Sequence, residues 1–418
     1  MKKQRSSTPS FHLDLRHIVS AVILLTILAI SFFIGRNLDS PSVGARLIDE
    51  TRPTNSGLGV DVASLREAER IRNGFYAAIL REAEHIRKSV TTDGAINMVP
   101  IIDSGQDAYI IPYFAAYASV GLDIAALLTK ERDLRTALEY LNLSENFYYW
   151  YTAHMNPDGS IYDYTNGSVE APEPTGDADS EDAYAGVFLF GAYIHYRVVQ
   201  TIDEVQAGEF LTRIEPFCRK AANLIISLQE PDGLTLAKRD YPIQYLMDNL
   251  EAYEGLKALQ PLGVAGFEEY AEKIATATNR YLWLQEGYFA WAKDPHDDTL
   301  SSGWDKWYPD KMANTWAIYF NFIGQEKRDI IYEVLRQEFS EPKSAYSELR
   351  TGVIQLAIAA LVQRDTSRAA DYIKEALKHQ DKDGGFPDPY EYTHLSGWFI
   401  VAAGLYIDWN DLAGIVFV

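Results

Sequence analysis

The chain has 418 residues, of which 47% are hydrophobic and 23% are charged, the composition of an ordinary globular protein. Its formal net charge of −21 argues against nucleic acid as a partner, because binding to phosphates requires basic surface. Cys218 is the single cysteine, which excludes an internal disulfide framework, and no Cys/His spacing matches a zinc site. We therefore predict neither a metal site nor a cofactor.

The beginning of the chain is basic and then strongly apolar. Residues 1–16 form a basic tail, and residues 18–35 contain no charged side chain, which is at the short end of a membrane span. A secretory signal peptide is the competing interpretation, but the apolar run is long for one and no small-x-small cleavage site follows it. We predict a transmembrane anchor over 17–36, with the lipid bilayer as a partner. The basic tail would then stay in the cytoplasm and the chain after a tether over 37–60 would lie outside it.

From residue 61 to about residue 410 the apolar spacing is helical. Alternate helices differ, since 183–199 is nearly free of charge whereas 63–88 carries charge along one face. An outer amphipathic helix followed by an inner buried helix is the pattern expected of two concentric helical layers. Residues 411–418 are expected to form a C-terminal tail. The predicted helices are 62–89, 108–129, 132–155, 180–200, 205–229, 243–259, 264–284, 309–323, 325–339, 345–363, 366–380 and 393–408.

A short turn recurs where the predicted outer helices end. An acidic residue is followed by Gly, which supplies the left-handed conformation that ends a helix, and then by an apolar residue or a small residue before one. One further hairpin has the turn Ser340-Glu341-Pro342-Lys343, which lacks Gly, so the chain contains six helical hairpins. The five turns with Gly are Asp93-Gly94-Ala95-Ile96, Asp158-Gly159-Ser160-Ile161, Asp232-Gly233-Leu234, Glu286-Gly287-Tyr288-Phe289 and Asp383-Gly384-Gly385-Phe386.

Six hairpins with inner and outer layers and acidic-Gly turns resemble the (α/α)6 toroid of the six-hairpin glycosidase superfamily. The resemblance covers roughly 62–408, and the segments 179–185 and 241–249 look like the starts of inner helices in such enzymes. It implies an all-α toroid over 61–410, with a glycan-binding cleft at one end and carboxylates in the loops that lead into the inner helices. The superfamily and its structural relatives include hydrolases, phosphorylases, lyases and epimerases, so the fold alone does not select the chemistry.

An acidic cluster stands where the apolar helix 183–199 begins. It places Asp177, Asp179, Glu181 and Asp182 within six residues. Helix N-termini favour negative charge, but one cap explains only one or two of these side chains. Clustered carboxylates in differing environments are what general acid and base catalysis requires.

Glycoside hydrolysis generally needs a protonated carboxyl group and a second carboxylate that acts as base or nucleophile. We predict one such group from 177–182 and one from a different hairpin. Apolar neighbours in the sequence make Asp248 a candidate acid, because burial raises the pKa of a carboxyl group; a buried Asp that hydrogen-bonds to a loop is an equally weighted alternative. The candidate catalytic residues are Asp179, Asp182, Asp248 and Asp310.

Aromatic side chains lie between the candidate carboxylates in the loops that precede the inner helices. Their rings offer flat apolar faces to the C–H faces of sugars, while carboxylates accept hydrogen bonds from sugar hydroxyls. For most single aromatics, filling space between helices is the simpler interpretation. The candidate substrate-binding residues are Asp107, Tyr113, Asp177, Tyr184, Tyr241, Trp304, Asp305, Trp307, Tyr308, Glu348, Tyr390 and His394.

Together these patterns predict a membrane-anchored, extracytoplasmic enzyme that acts on a poly- or oligosaccharide, with glycoside hydrolysis as the leading activity. A lyase with a Tyr base and a basic partner such as Lys238 or Lys306 stays open, as does an epimerase, although His154, His195 and His394 are dispersed. A non-catalytic toroid that binds glycan within a polysaccharide assembly system is the third alternative. Proteins of polysaccharide synthesis or export are candidate partners.

Overall fold

The computed structural model describes residues 62–319, 323–387 and 392–416. The predicted cytoplasmic tail, membrane anchor and tether lie outside these residues. Within them, one helix, Pro112–Thr129, is long and apolar enough to cross a membrane, but 94% of it is buried inside the protein, as expected of a core helix.

The described residues form 14 α-helices and five short strands, in agreement with an all-α class. Two π-helical turns, Thr278–Leu282 and Trp307–Lys311, follow α7 and precede α8. The helices are α1 Val62–Arg87, α2 Pro112–Thr129, α3 Leu134–His154, α4 Glu181–Gln200, α5 Glu204–Leu228, α6 Leu246–Ala258, α7 Glu268–Ala277, α8 Met312–Tyr319, α9 Gln325–Glu338, α10 Pro342–Leu349, α11 Gly352–Val362, α12 Thr366–Leu377, α13 Thr393–Ile407 and α14 Trp409–Val416. The strands are β1 Asn166–Ser168, β2 Ala171–Glu173, β3 Gln244–Tyr245, β4 Ala292–Lys293 and β5 Leu300–Ser301.

Six helices form a closed inner ring in which each contacts its two neighbours. The order is α2, α4, α6, α8, α11 and α13, and α13 packs against α2 to close the ring. Outer helices α3, α5, α7, α9 and α12 each pack against the inner helix that precedes them in the chain, and α1 packs against α13. The described inner helices are buried almost all round, whereas the outer helices bury one face. This arrangement matches the two layers expected from the charge pattern.

Each turn glycine packs against the next outer helix around the ring. A Cβ atom on Gly94, after α1, would collide with the backbone of Asn146 in α3, and those on Gly159 and Gly233 would meet the backbone of α5 and α7. A Cβ atom on Gly287 would meet the Ile330 side chain of α9. A Cβ atom on Gly384, after α12, would collide with the backbone of Arg81 in α1. All five have φ between +90° and +100°, the left-handed conformation predicted from the turn sequence: Gly94, Gly159, Gly233, Gly287 and Gly384.

The structure differs from the predicted elements in three places. The predicted helix 345–363 is divided into α10 and α11, because Arg350 has a φ of +54° and interrupts the helix. Residues 411–416, expected in a tail, belong to α14, which packs against α13 and α4 beyond the C-terminal ends of the inner helices. The strands were not predicted, since runs of two or three residues are too short to show a period of two. They form an antiparallel pair, β1-β2, and a three-stranded antiparallel sheet, β3-β4-β5.

Connections between helices are long at one end of the ring and short at the other. The links that lead into inner helices hold all five strands, while the links that leave them are shorter, from three residues at 201–203 and 363–365 to nine at 259–267. The N-terminal ends of the inner helices, their loops and both small sheets therefore meet at one end of the toroid.

Candidate active site

A cavity of about 270 Å³ opens among the N-terminal ends of α2, α4, α6 and α8. A larger depression of about 530 Å³ on the outer face of α3 is lined by that helix alone and brings no groups together from different elements. Convergent polar groups in an enclosed pocket mark a binding site more specifically than volume does. The lining residues of the enclosed cavity are Tyr113, Phe114, Asp179, Ser180, Ala183, Tyr184, Tyr241, Tyr245, Met247, Asp248, Tyr308 and Trp316.

Helices α4 and α6 approach closely just below this cavity. A Cβ atom on Gly186 would lie 2.5 Å from the carbonyl oxygen of Glu251, and one on Gly255 would lie 2.5 Å from the carbonyl oxygen of Gly186. Only glycine permits such backbone contact. Because Gly186 lies about one turn after Asp182 and Gly255 about two turns after Asp248, the contact brings the starts of the two helices together.

Asp248 stands on the first turn of α6 and faces the cavity. Its side chain is half-buried, and the Ser180 hydroxyl lies 2.6 Å from its Oδ2 atom. Burial raises the pKa of Asp248 well above its usual range, and the neighbouring Asp182 carboxylate raises it further. Both interpretations weighed from the sequence therefore apply: the group is hydrogen-bonded to the loop before α4, and it favours the protonated form that a general acid requires.

Asp182 lies behind the cavity wall and is fully buried. Its carboxylate is satisfied by the Ser180 hydroxyl at 2.7 Å, the Thr235 hydroxyl at 2.5 Å and the amide of Ala183 at 2.8 Å. Burial raises its pKa to about 6, and the hydrogen bonds oppose that rise. Asp182, which was a catalytic candidate, therefore contacts the residues of the cavity rather than the space within it.

Asp179 lines the cavity at its mouth, where its side chain is exposed. Desolvation by the surrounding protein raises its pKa to about 6, although the nearby Lys238 ammonium opposes the rise. That ammonium is held by Asp177 at 2.7 Å and by the carbonyl oxygen of Ala178 at 2.8 Å. Asp177 is thus a partner of Lys238 and is not among the cavity-lining residues.

Asp163 belongs to this cluster and was missed by the sequence reasoning. It accepts a hydrogen bond of 2.9 Å from the hydroxyl of Tyr184, and desolvation raises its pKa to about 7. The signal was present as an acid between two aromatic residues, Tyr162 and Tyr164, just after the turn that contains Gly159. The sequence does not show how close a single acid in a loop lies to residues elsewhere in the chain. Asp163 was therefore not selected together with the cluster at 177–182.

Asp310, the other predicted partner, serves its own loop. Its carboxylate accepts hydrogen bonds from the amides of Asp305 and Lys306, both at 3.2 Å, and it is buried against Gly303. It is not among the residues that line the cavity. The structure therefore brings Asp179 and Asp248 together at the cavity and leaves Asp310 outside it.

The aromatic candidates divide into two groups. Tyr113, Tyr184, Tyr241 and Tyr308 line the cavity, as predicted, and the rings of Tyr113 and Tyr184 stack with centroids 5.3 Å apart. Trp304 and Trp307 pack elsewhere: the Trp304 indole donates to Glu338 at 3.1 Å, and Trp307 meets Phe339 edge to face. Tyr245 and Trp316 also line the cavity and were not among the candidate residues predicted from the sequence.

The remaining candidates do not line the cavity. Asp107 pairs with Ser168 in a β-bridge and is exposed, as are Asp305 and Glu348. His394 is buried with its ring stacked 4.4 Å from Phe114, and burial lowers its pKa to about 3. Tyr390 lies outside the described residues.

Glu251, one turn below Asp248 on α6, is a buried carboxyl group that the site list also lacked. Its Oε1 atom accepts hydrogen bonds from Tyr113 at 2.8 Å and Tyr117 at 3.0 Å. Burial raises its pKa well above the usual value, and the charge of Asp248 adds to that rise. Burial therefore favours the neutral form of Glu251, whose Oε1 atom orients Tyr113 in the cavity wall.

This environment gives a pH-dependent prediction for Glu251→Gln. The pKa of Glu251 in the folded state lies above its unfolded value of about 4.3. Its contribution to the free energy of unfolding is therefore fully present below about pH 4.3 and is lost as pH rises toward the folded pKa. Gln keeps the acceptor for both tyrosines but cannot ionise. We expect the free energy of unfolding of the variant, relative to the parent, to rise by about 1.4 kcal/mol per pH unit in that window.

Chemical denaturation at several pH values measures this effect. Glu251→Ala is the contrasting variant, because it leaves two buried hydroxyls without an acceptor, at about 1–3 kcal/mol each. It should be destabilised at every pH. A Gln variant whose stability followed that of the parent across the window would contradict a raised pKa for Glu251.

Several solved structures are similar to this chain in fold. A single-residue variant of a glycosidase matches with a TM-score of 0.55 and 12% identity, covering 86% of this chain and 100% of that chain. Mannosylglycerate hydrolase of glycoside hydrolase family 63 from Thermus thermophilus matches with a TM-score of 0.54 and 12% identity, covering 79% and 99%. An alpha-amylase from Clostridium perfringens matches with a TM-score of 0.52 and 10% identity, covering 79% and 97%.

No family model and no curated protein sequence matches the chain. At 10–12% identity, the structural likeness establishes the fold and does not extend to substrate or reaction. The three solved structures named above are described as glycosidases or as an amylase, which confirms the resemblance stated from the hairpins and their turns. The chain therefore has the fold of the six-hairpin glycosidase-like proteins.

Proposed function

We propose that this chain is a glycoside hydrolase that cleaves a poly- or oligosaccharide with Asp248 as the general acid and Asp179 as the base or nucleophile. One observation carries the proposal: the two carboxyl groups come from different hairpins and face the same aromatic cavity. The glycosidase names of the structural neighbours support a carbohydrate substrate.

The two environments fit the two roles. Asp248 holds its proton because of burial and the adjacent Asp182, so it can protonate the leaving oxygen of a glycosidic bond. Asp179 ionises near pH 6, so above that pH it can activate water or attack the sugar. Activity should therefore decline on the acid side with a midpoint near pH 6. Tyr113 and Tyr184 supply flat faces against which a sugar ring can pack.

The alternatives have weaker support at this cavity. A lyase needs a tyrosinate and a cation, but burial raises the pKa of Tyr113, Tyr184 and Tyr308, and no Lys, Arg or His is among the described lining residues. An epimerase with paired imidazoles is not favoured either, because His394 is buried outside the cavity and His195 is paired with Asp123. A non-catalytic toroid would use the same aromatic walls for binding alone.

The proposed location rests on the sequence before the toroid. The uncharged run within 17–36, after a basic tail, supports a single membrane anchor that leaves the toroid outside the cytoplasm. In that setting, glycans that are synthesised or exported at the membrane are available as substrates. Extraction tests this proposal: the full chain should stay with membranes in high salt and leave them in detergent, and external protease should reach the toroid in intact cells.

The activity test is to incubate the full chain with neutral and uronate-containing glycans while following reducing ends and ultraviolet absorbance together. A hydrolase produces reducing ends without absorbance, whereas a lyase produces both, because elimination leaves an unsaturated sugar. Binding without either signal would support the non-catalytic toroid and contradict hydrolysis. The pH profile on the best substrate then shows whether the acid-side midpoint lies near pH 6.

A further inference from the structure

The Ser180 hydroxyl lies between two carboxyl groups at the start of α4. Its Oγ atom is 2.6 Å from Oδ2 of Asp248 and 2.7 Å from Oδ1 of Asp182. Ser180 is buried, although it forms part of the cavity lining, and its hydroxyl does not cap α4. The Ser180 hydroxyl therefore contacts acids from two different helices and does not cap its own. The positions of the hydrogens decide which group donates in each contact.

Ser180 cannot donate a hydrogen bond to both carboxyl groups at the same time. A hydroxyl has one hydrogen to donate and two lone pairs that accept. If Asp182 and Asp248 were both ionised, one of the two short contacts would join oxygens with no hydrogen between them. With Asp248 protonated, its own hydrogen can fill one contact and the Ser180 hydrogen the other. The geometry thus fits one carboxyl proton on the pair Asp182 and Asp248, in addition to the hydroxyl proton of Ser180.

The two acids differ in how much they depend on Ser180. Asp182 also accepts from the Thr235 hydroxyl at 2.5 Å and from the amide of Ala183 at 2.8 Å. For Asp248, Ser180 is the side-chain donor found within the described part of the chain. Asp182 therefore keeps two other donors when Ser180 turns away, whereas ionised Asp248 keeps only its own backbone amide among the donors found in the described residues.

We propose that Ser180 is a positioning residue for the hydrolysis proposed above, a hydroxyl that donates to Asp182 while Asp248 is protonated and turns to Asp248 when that proton leaves. The inference rests on the proposed function. When the glycosidic C–O bond breaks, the proton of Asp248 moves to the leaving oxygen and Asp248 becomes a carboxylate. Ser180 keeps its own proton and rotates it from Asp182 to Oδ2 of Asp248. Asp248 then regains a proton from water.

Other groups around Asp248 set the background against which Ser180 acts. The carboxyl groups of Asp179 and Asp182 face it from the start of α4, and Glu251 lies one turn below it on α6. The hydroxyls that interact with it electrostatically belong to Tyr113, Tyr245 and Tyr308. The Lys238 ammonium interacts with Asp179. Burial and the acids around Asp248 disfavour its charge, while the Ser180 hydroxyl, followed by the backbone amide of Asp248, stabilises the ionised form.

Kinetics of Ser180→Ala test the role. We expect kcat/KM on a glycoside with a poor leaving group to fall at least tenfold, because the developing carboxylate loses its donor. An activated aryl glycoside, whose leaving group needs little protonation, should change less than threefold. The alkaline limb of the pH profile should move to higher pH. Ser144→Ala is the matched control, since it removes a buried hydroxyl that bonds to Ser119 and His195 instead. Equal losses on both substrates would overturn the proposal.

A titration that does not require turnover separates this inference from the proposed function. Carboxyl signals of protein with ¹³C-labelled Asp are followed by pH, and Asp248→Asn identifies the signal of Asp248. In Ser180→Ala that signal should titrate at higher pH than in the parent chain; an unchanged or lower midpoint would overturn the role of Ser180. If the parent chain cleaved no glycan, the proposed hydrolysis would fail, while the titration would still decide which acid Ser180 serves.

Discussion

Replacing Asp248 by Asn is expected to lower kcat on an unactivated glycoside by about 10³-fold, within the 10²–10⁴-fold range for general acid catalysis. Asn has nearly the same shape and its amide group can still donate to the Ser180 oxygen, but it cannot give up a proton to the leaving oxygen. KM should change little, because sugar binding depends on the aromatic walls of the cavity. Steady-state kinetics at saturating substrate measure the effect.

Substrates with different leaving groups distinguish the loss of the general acid from a nonspecific loss of activity. With an activated aryl glycoside the deficit of Asp248→Asn should shrink by at least tenfold, since that bond breaks without a proton donor. Asp179→Asn should instead lose turnover on both substrates, and added azide should restore part of it by acting as the missing nucleophile. Asp371→Asn is the control, because that exposed carboxylate lies on the outer helix α12 and pairs with Lys374. A parent-like rate for Asp248→Asn would contradict its role.

Replacing Gly186 by Ala should destabilise the toroid by about 3 kcal/mol or more, at the upper end of overpacking costs. The added Cβ would lie 2.5 Å from the carbonyl oxygen of Glu251 and 2.8 Å from the amide nitrogen of Ala252, so α4 and α6 must separate. Backbone atoms of a buried helix cannot move aside as a flexible side chain does. Since the same contact brings Asp182 and Asp248 together, activity should also fall in whatever protein remains folded.

Gly208→Ala provides the matched control for that substitution. Gly208 lies within α5, and a Cβ atom there would meet nothing within 4 Å. Ala is favoured over Gly in a helix interior by about 1 kcal/mol, so this variant should be slightly more stable than the parent. Equilibrium unfolding in urea measures both variants. Equal stability of Gly186→Ala and the parent would mean that α4 and α6 are not in the close contact described above.

Several features of this protein were determined by its sequence alone. The alternation of charge-striped and charge-free helices predicted the two layers, because burial on one side or on all sides selects which faces of a helix are apolar. Gly94, Gly159 and the later turn glycines were identifiable from local sequence, since the left-handed conformation is a local requirement. Asp179 and Asp248 could be nominated because each stands at the start of an apolar helix, which places it at the loop end of the ring.

The tertiary structure alone decided which of the nominated side chains meet. Periodicity gives the buried face of each helix but not its rotation within a closed ring, so it could not show that Asp248 faces the cavity while Asp310 turns toward the amides of its own loop. The contact between α4 and α6 placed Ser180 between two carboxyl groups 66 residues apart in the chain. Proton affinities depend on such three-dimensional neighbours and on exclusion of water, and neither is encoded in the order of residues along a single helix.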